Sequence, residues 1–342
     1  MSSDMTDESP DDLKELPGKI VANDPTEIGA TARELDLGQT VSERMRLPQA
    51  TLKRLGLLMV VYLVGLAAMV PFFDNGVGPT ALPLLPIVIL VALLFEWMDS
   101  AAGMGFGTAL APLLFLMGYN PLQVIPVLLI SETVTGAVSG GVHHELKNAS
   151  FSFSPLNEAT KTMLFIGAIG SLATGVSITL AYFALTLPES YIKMYVSLLV
   201  LAMGVIGVVR ARIVTTIAYK PRRLLIFAAL AGFNKGIGGG GFGPVVTLGQ
   251  ILSGVYEKSA TAIASLAESI VSLVGVVTFF AISARGIELD LTLLPSIYTG
   301  GFIAAIGAPY LVRVVPNHVW RYVIPLYAFT IGVLGLFMGL EI

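Results

Sequence analysis

Apolar positions along this chain fall into long continuous runs separated by short polar stretches. About 20 apolar residues cross a bilayer. Runs of that length cover Leu52–Phe73, Leu122–Val142, Thr160–Leu187, Tyr191–Val209, Ala260–Ala284, Leu291–Val315 and Val319–Leu340. Each predicts a transmembrane helix. Two further regions, Ala81–Met117 and Leu224–Ser253, are apolar runs interrupted by glycine clusters. Each is either one broken crossing or a hairpin that enters and leaves on one side, with halves short of a full span. The runs are continuous, not alternating, which excludes a β-barrel. The pattern predicts an all-α polytopic membrane protein.

Charge placement decides between crossing and hairpin. Lys and Arg collect in cytoplasmic loops. With both broken regions as hairpins, one side holds the Arg44–Arg54 cluster, Lys147, Lys161, the group from Arg210 to Arg223, Lys258, Arg313 and Arg321. The other side holds Asp74, Glu189, Arg285, Glu288 and Asp290. If the broken regions cross, the group from Arg210 to Arg223 moves to the wrong side, so the hairpin arrangement is expected. The first hairpin then enters from outside and the second from inside, each followed by three helices. That is an inverted repeat with Leu52–Phe73 as an extra helix, a common transporter plan. The N-terminus is expected in the cytoplasm and the C-terminus outside. Domain bounds follow: tail 1–48, extra helix 49–73, first repeat 81–212, second repeat 221–342.

The repeat is also written in residues. Gly103-Met104-Gly105-Phe106-Gly107 with Glu132 recurs as Gly239-Gly240-Gly241-Phe242-Gly243 with Glu268, at a constant offset of 136. Eight of 38 positions match between 103–140 and 239–276. Glycine permits sharp turns and close approach. A helix starting inside the protein aims unpaired N–H groups and a positive dipole end at its surroundings, which suits an anion. The alternative use of such glycines is helix packing. Neither cluster is a nucleotide-binding loop: no Gly-Lys-Ser/Thr follows, and no strand precedes.

Composition sharpens this picture. Of 342 residues, 55% are hydrophobic and 13% charged, against about 25% charged in soluble domains, so charges inside spans are exceptional. Glu132 and Glu268 lie mid-span and are candidate proton-coupling or gating groups; the alternative is a neutral hydrogen bond between helices. Thr135, Gly136 and Ser139 share a face with Glu132, and Thr261, Ser265 and Ser272 with Glu268, so both stripes should face the interior. Asp99 in the first half corresponds to Lys235 in the second. Lys235, beside Asn234, either attracts an anionic substrate or pairs with Asp99 across the repeat axis. Glu96, one turn before Asp99, either snorkels or joins that network. His143 and His144 read as interface histidines, and no metal set is visible. There are no cysteines, which excludes disulfides and thiolate chemistry. No cofactor motif, nucleic-acid patch or catalytic constellation stands out. Residues 1–48, polar and poor in aromatics, read as a disordered or loosely attached tail.

The stretch Asp99–Asn120, ending in Gly118-Tyr-Asn-Pro, resembles the first repeat of the sulfite exporter TauE/SafE family. Lys235–Gly254, with Gly238-Gly-Gly-Gly-Phe-Gly-Pro, is similar to its second repeat. The resemblance covers roughly residues 82–342. It departs at Ala101-Ala102-Gly103-Met104, where the family is richer in glycine, at Pro121, which comes early, and in the long N-terminal tail. It implies an inner-membrane permease for small sulfur-containing anions: sulfite, thiosulfate or organosulfonates, often exported. On that reading Gly103, Gly105, Phe106, Gly107, Asn234, Lys235 and Gly239 to Gly243 line the substrate site, and Asp99, Glu132 and Glu268 couple protons or gate. A gradient drives transport, since no ATP-binding motif is present. Partners are the anion, the bilayer and a proton or other coupling ion. A channel built from re-entrant half-helices is the first alternative; an intramembrane enzyme or assembly subunit is the second.

Overall fold

The computed structural model describes residues 28–73, 82–183, 189–212, 219–284 and 290–340. Asp74, Arg285, Glu288 and residues 1–27 lie outside the described residues. The elements are α1 (Ala30–Gly38), α2 (Val41–Arg44), α3 (Gln49–Phe73), α4 (Pro86–Ala102), a π-helical turn (Phe106–Leu110) running into α5 (Ala111–Leu116), α6 (Pro121–Glu145), α7 (Glu158–Phe183), α8 (Glu189–Arg212), α9 (Pro221–Gly238), α10 (Phe242–Leu252), α11 (Glu257–Ser283), α12 (Leu294–Val314) and α13 (Asn317–Leu340). No strand is present among the described residues. Among the described residues, six helices are long and apolar enough to cross a membrane: α3, α6, α7, α11, α12 and α13. Each of the seven continuous apolar runs read from the sequence falls on a helix where it is described, with ends moved by a few residues, and Tyr191–Val209, on α8, is the one that is not among those six.

Both glycine-broken regions fold back. The Lys220 N–H, just before α9, donates to the Ser253 carbonyl, just after α10, at 3.0 Å. In the first region the Leu85 N–H, before α4, donates to Ser296 Oγ at 2.8 Å. Gln123, at the start of α6, donates to Asp290. Both ends of that region therefore meet the 290–296 stretch. Hydrogen bonds from Thr292 and Gln123 hold the Asp290 carboxyl below the ordinary carboxylate range. The hairpins are asymmetric in depth. Their entering arms, α4 and α9, have 17 and 18 residues, about 26 Å of helix at 1.5 Å per residue. They are thus nearly full crossings, longer than the halves expected from sequence. Only the returning arms are short, because each glycine cluster lies late in its apolar run.

The helix pairing has the form of an inverted repeat. α4 packs along α12 as α9 packs along α7, and α6 meets α12 as α11 meets α7. α6 and α11 meet each other, antiparallel. Ser269 Oγ donates to the Thr133 carbonyl at 2.6 Å, and these two positions are related by the offset of 136. On either side, Ser139 meets Ser265 while the equivalent Leu129 meets Gly275. α8 and α13 pair in the same way at an offset of 128: Gly204 lies on Phe329 and Gly332 on Leu201. Antiparallel partners exchanged by a twofold require an axis across the helices, parallel to the bilayer plane.

The basic loops gather on one face. Arg54 pairs with Glu145 at 2.7 Å, Thr162 bonds Tyr219, and Arg313 donates to the Leu146 carbonyl. The N-terminal stretch differs from a loose tail. Ile28, Ala32 and Leu35 form an apolar stripe at helical spacing and are buried. Asp36 accepts from Lys258 Nζ at 2.7 Å, from Tyr256 at 2.9 Å and from Arg44. Residues 28–48 thus clamp the α10–α11 turn to the end of α12, where Arg313 donates to the Arg44 carbonyl. Averaged over 48 residues, the polar composition hides a three-residue stripe and one anion with distant partners. α3 stands at the edge, with 6% of its apolar window buried.

Candidate functional site

At each break the chain turns through a left-handed glycine. Gly103 caps α4 at φ 71° and Gly239 caps α9 at φ 69°, a conformation in which any side chain is strained. The two caps are repeat equivalents. Beyond them the backbones of the two breaks lie directly on each other. A Cβ on Gly240 would sit 2.6 Å from the Gly107 carbonyl oxygen, and one on Gly243 would overlap the Gly103 carbonyl. A Cβ on Gly107 would likewise overlap the Gly239 carbonyl, and since Gly107 corresponds to Gly243 and Gly239 to Gly103, the contact is reciprocal. Thr247 Oγ1 donates to the Gly103 carbonyl at 2.8 Å, and the Gly241 N–H donates to Thr108 Oγ1 at 2.9 Å. The glycines thus serve close packing between the two hairpins here. Phe106 and Phe242 flank the contact, both buried.

Against this crossing sits a buried ionisable cluster. Lys235 Nζ, on α9, donates to Glu132 Oε2 on α6 at 2.6 Å and to Glu268 Oε1 on α11 at 2.7 Å. Its ammonium also lies 5.5 Å from the Phe242 ring centroid. Glu132 additionally accepts from Ser272 at 3.1 Å. The repeat makes the two glutamates equivalent, and one lysine from one half holds both. Lys235 is thus in a salt bridge, as one of its two readings had it, but with Glu132 and Glu268 in place of Asp99. Asp99 instead accepts the Phe106 N–H at 3.2 Å, satisfying an amide that the break frees. Two carboxylates lie within an ammonium's reach and Asp99 does not, so Coulomb attraction selects the glutamates.

Glu96 does not snorkel: it is 1% exposed. Its Oε1 accepts from Ser100 at 2.8 Å, and its Oε2 has no hydrogen-bond partner among the described residues. Asn234 is fully buried, and both polar atoms of its amide are likewise unpartnered. The serine and threonine stripes of α6 and α11 do face the interior, all buried. Four buried carboxyls therefore stand against one ammonium. Uncompensated buried charge is costly.

His143 is not an interface residue. It is fully buried, with its ring bonded to the Ser100 carbonyl and the Asn148 amide, both at 2.9 Å. A carbonyl only accepts and an amide nitrogen only donates. The ring is therefore neutral with its proton on Nε2, and it pins the deep end of α4. Only His144 is exposed. No local sequence signal distinguished the two, since Ser100 and Asn148 meet His143 through the fold. No cluster of His, Cys, Asp and Glu suited to a metal ion is found among the described residues.

The family described as Sulfite exporter TauE/SafE matches residues 87–338, from α4 into α13. A relative in Bacillus subtilis (strain 168), described as "Probable membrane transporter protein YtnM", is 28% identical over 244 residues, which is 67% of this chain and 75% of that protein. No solved structure matches the chain.

Proposed function

The chain belongs to the sulfite exporter TauE/SafE family, and from that premise we propose that it is a secondary transporter that exports small sulfur-containing anions such as sulfite, thiosulfate or organosulfonates. That it is a multi-pass membrane transporter follows from the family and from its apolar helices. The observation that carries the finer reading is the meeting of two oppositely inserted hairpins at one buried cluster with a single cation, Lys235.

In this reading the two halves rock about that point and open it to each side in turn. When the glycine contact between the breaks parts, backbone N–H groups along Gly103 to Gly107, that of Phe106 excepted, and along Gly239 to Gly243 turn to the oxyanion oxygens, with Phe106 and Phe242 as apolar walls. Asn234, whose amide already lacks partners, supplies a further donor. Lys235 supplies the charge. Glu132 and Glu268 act as gates: they hold Lys235 while the site is empty and release it to an incoming anion. Asp99 steadies the first break by holding the Phe106 N–H. The distribution of Lys and Arg supports a cytoplasmic basic face, with the N-terminus inside and the C-terminus outside a plasma or inner membrane on this reading. A proton or ion gradient supplies the driving force.

A thermal-shift panel on the purified chain tests the substrate class. Ligands that bind the folded state raise its apparent stability. Sulfite, thiosulfate or a sulfonate should raise the melting temperature, while equimolar chloride and acetate should not. Equal shifts for carboxylates and sulfonates would overturn the sulfur-anion assignment.

A further inference from the structure

We propose that the coupled proton resides on Glu96, a residue outside the paired set. The inference rests on the transport reading above and locates its proton. Among the four buried carboxyls, Glu132 and Glu268 are bound to Lys235, and Asp99 accepts a backbone amide. Glu96 has only the Ser100 hydroxyl on Oε1, and its Oε2 is unpartnered. The hydroxyl of Thr135, on α6, lies beside this carboxyl within reach of a long hydrogen bond to it and has no partner of ordinary geometry. The neighbouring Ser131 hydroxyl has no partner either. A carboxylate in that position has no cation in contact with it among the described residues, and burying a charge without a partner is unfavourable. A carboxylic acid fits: it carries no charge for the site to balance, and its O–H can donate to the Thr135 hydroxyl oxygen beside it.

The charged and titratable groups around it agree. Asp99 lies on α4 itself, Glu132 and His143 on α6, Glu268 on α11 and Lys235 on α9. His143 is neutral by its bonding, and Lys235 is already engaged by two acids. α12, which packs along α4, presents Gly300 and Gly307 to it. Its one charged side chain, Arg313, is tied to the Arg44 and Leu146 carbonyls at the basic face. Tyr327 of α13 approaches Gly105 and carries no charge. The position is specific to one half, because the repeat equivalent of Glu96 is Gly232, whose Cβ would overlap Gly170. The two halves therefore divide the work: the second contributes the cation, Lys235, and the first contributes the exchangeable proton, Glu96. Glu96 takes its proton from water while the site is open to one face and gives it up while the site is open to the other, so each cycle carries it across with the rocking of the halves.

Two readouts on the full chain test this. Infrared difference spectra across a pH step should show the carbonyl stretch of a protonated carboxyl. Glu96→Gln should remove that band, and Ser100→Ala should keep it at a shifted frequency, since only its hydrogen bond changes. A band untouched by Glu96→Gln overturns the inference. In proteoliposomes holding radiolabelled sulfite at equal concentration inside and out, the parent protein should accumulate label on one side against its gradient when a pH difference is imposed. Glu96→Gln should lose that accumulation and exchange sulfite at a rate that no longer varies with pH. Accumulation retained by the variant overturns the inference. If the parent itself exchanges no sulfite, the transport reading fails, and the infrared band still decides where the proton sits.

Discussion

Lys235 touches two carboxylates that the repeat makes equivalent, and this fixes how it responds to mutation. Lys235→Ala leaves both glutamates buried without a cation. Removing one partner of a buried pair costs about 3–5 kcal/mol. The variant should melt well below the parent in detergent, and Glu132→Gln added to it should restore part of the loss; an unchanged melting temperature would show that the pair contributes nothing. The glycines separate by the same reasoning. Gly240→Ala drives a methyl onto the Gly107 carbonyl and should cost about 1–3 kcal/mol, as overpacking does. Gly141→Ala meets nothing within 4 Å, lies within α6, and should be neutral or stabilising by up to about 1 kcal/mol. Thermal or denaturant unfolding of both variants checks the contrast. At this scale the sequence was partly legible. Gly103, Gly239, Glu132 and Glu268 stood out because they recur in register. The partner of Lys235 did not, because three helices from both halves converge on it. Glu96 was visible only as a charge near Asp99; its isolation depends on what α6 and α12 place beside it.

Hairpin and crossing differ by which face each end reaches, and the charges of the loops were enough to choose between them. What they could not give was depth. α4 and α9 nearly cross, since a helix continues until a residue stops it, and Gly103 and Gly239 come late. The chain lacks cysteine, so single cysteines report sidedness cleanly. Cysteines at Leu84 and Asn120 should react with a membrane-impermeant maleimide from one side, and cysteines at Lys220 and Tyr256 from the other. Labelling of Lys220 and Tyr256 positions from opposite sides would mean that the second broken region crosses.

The two halves and the N-terminal stretch act on one another at the basic face. Asp36 is the anion that answers Lys258, which is fully buried. Asp36→Ala should therefore lower stability by about 3 kcal/mol or more, as for a broken buried pair, whereas a solvated tail would make the change neutral; unfolding of the full-length variant distinguishes these. This clamp lies outside the family match, which begins at residue 87. Its docking was the least legible part of the chain, since every partner of Asp36 except Arg44 lies more than 200 residues away. The membrane class and the paired glycine units, by contrast, were readable from hydropathy and a fixed offset alone. The account's central claim, a carrier for a small sulfur oxyanion, is tested most directly by counterflow. Proteoliposomes holding the purified chain and unlabelled sulfite are diluted into a trace of radiolabelled sulfite. A carrier takes up label transiently above its equilibrium level, with saturable dependence on sulfite and loss of the effect in Lys235→Ala. Uptake that never exceeds equilibrium, or unitary conductance in planar bilayers, would contradict it.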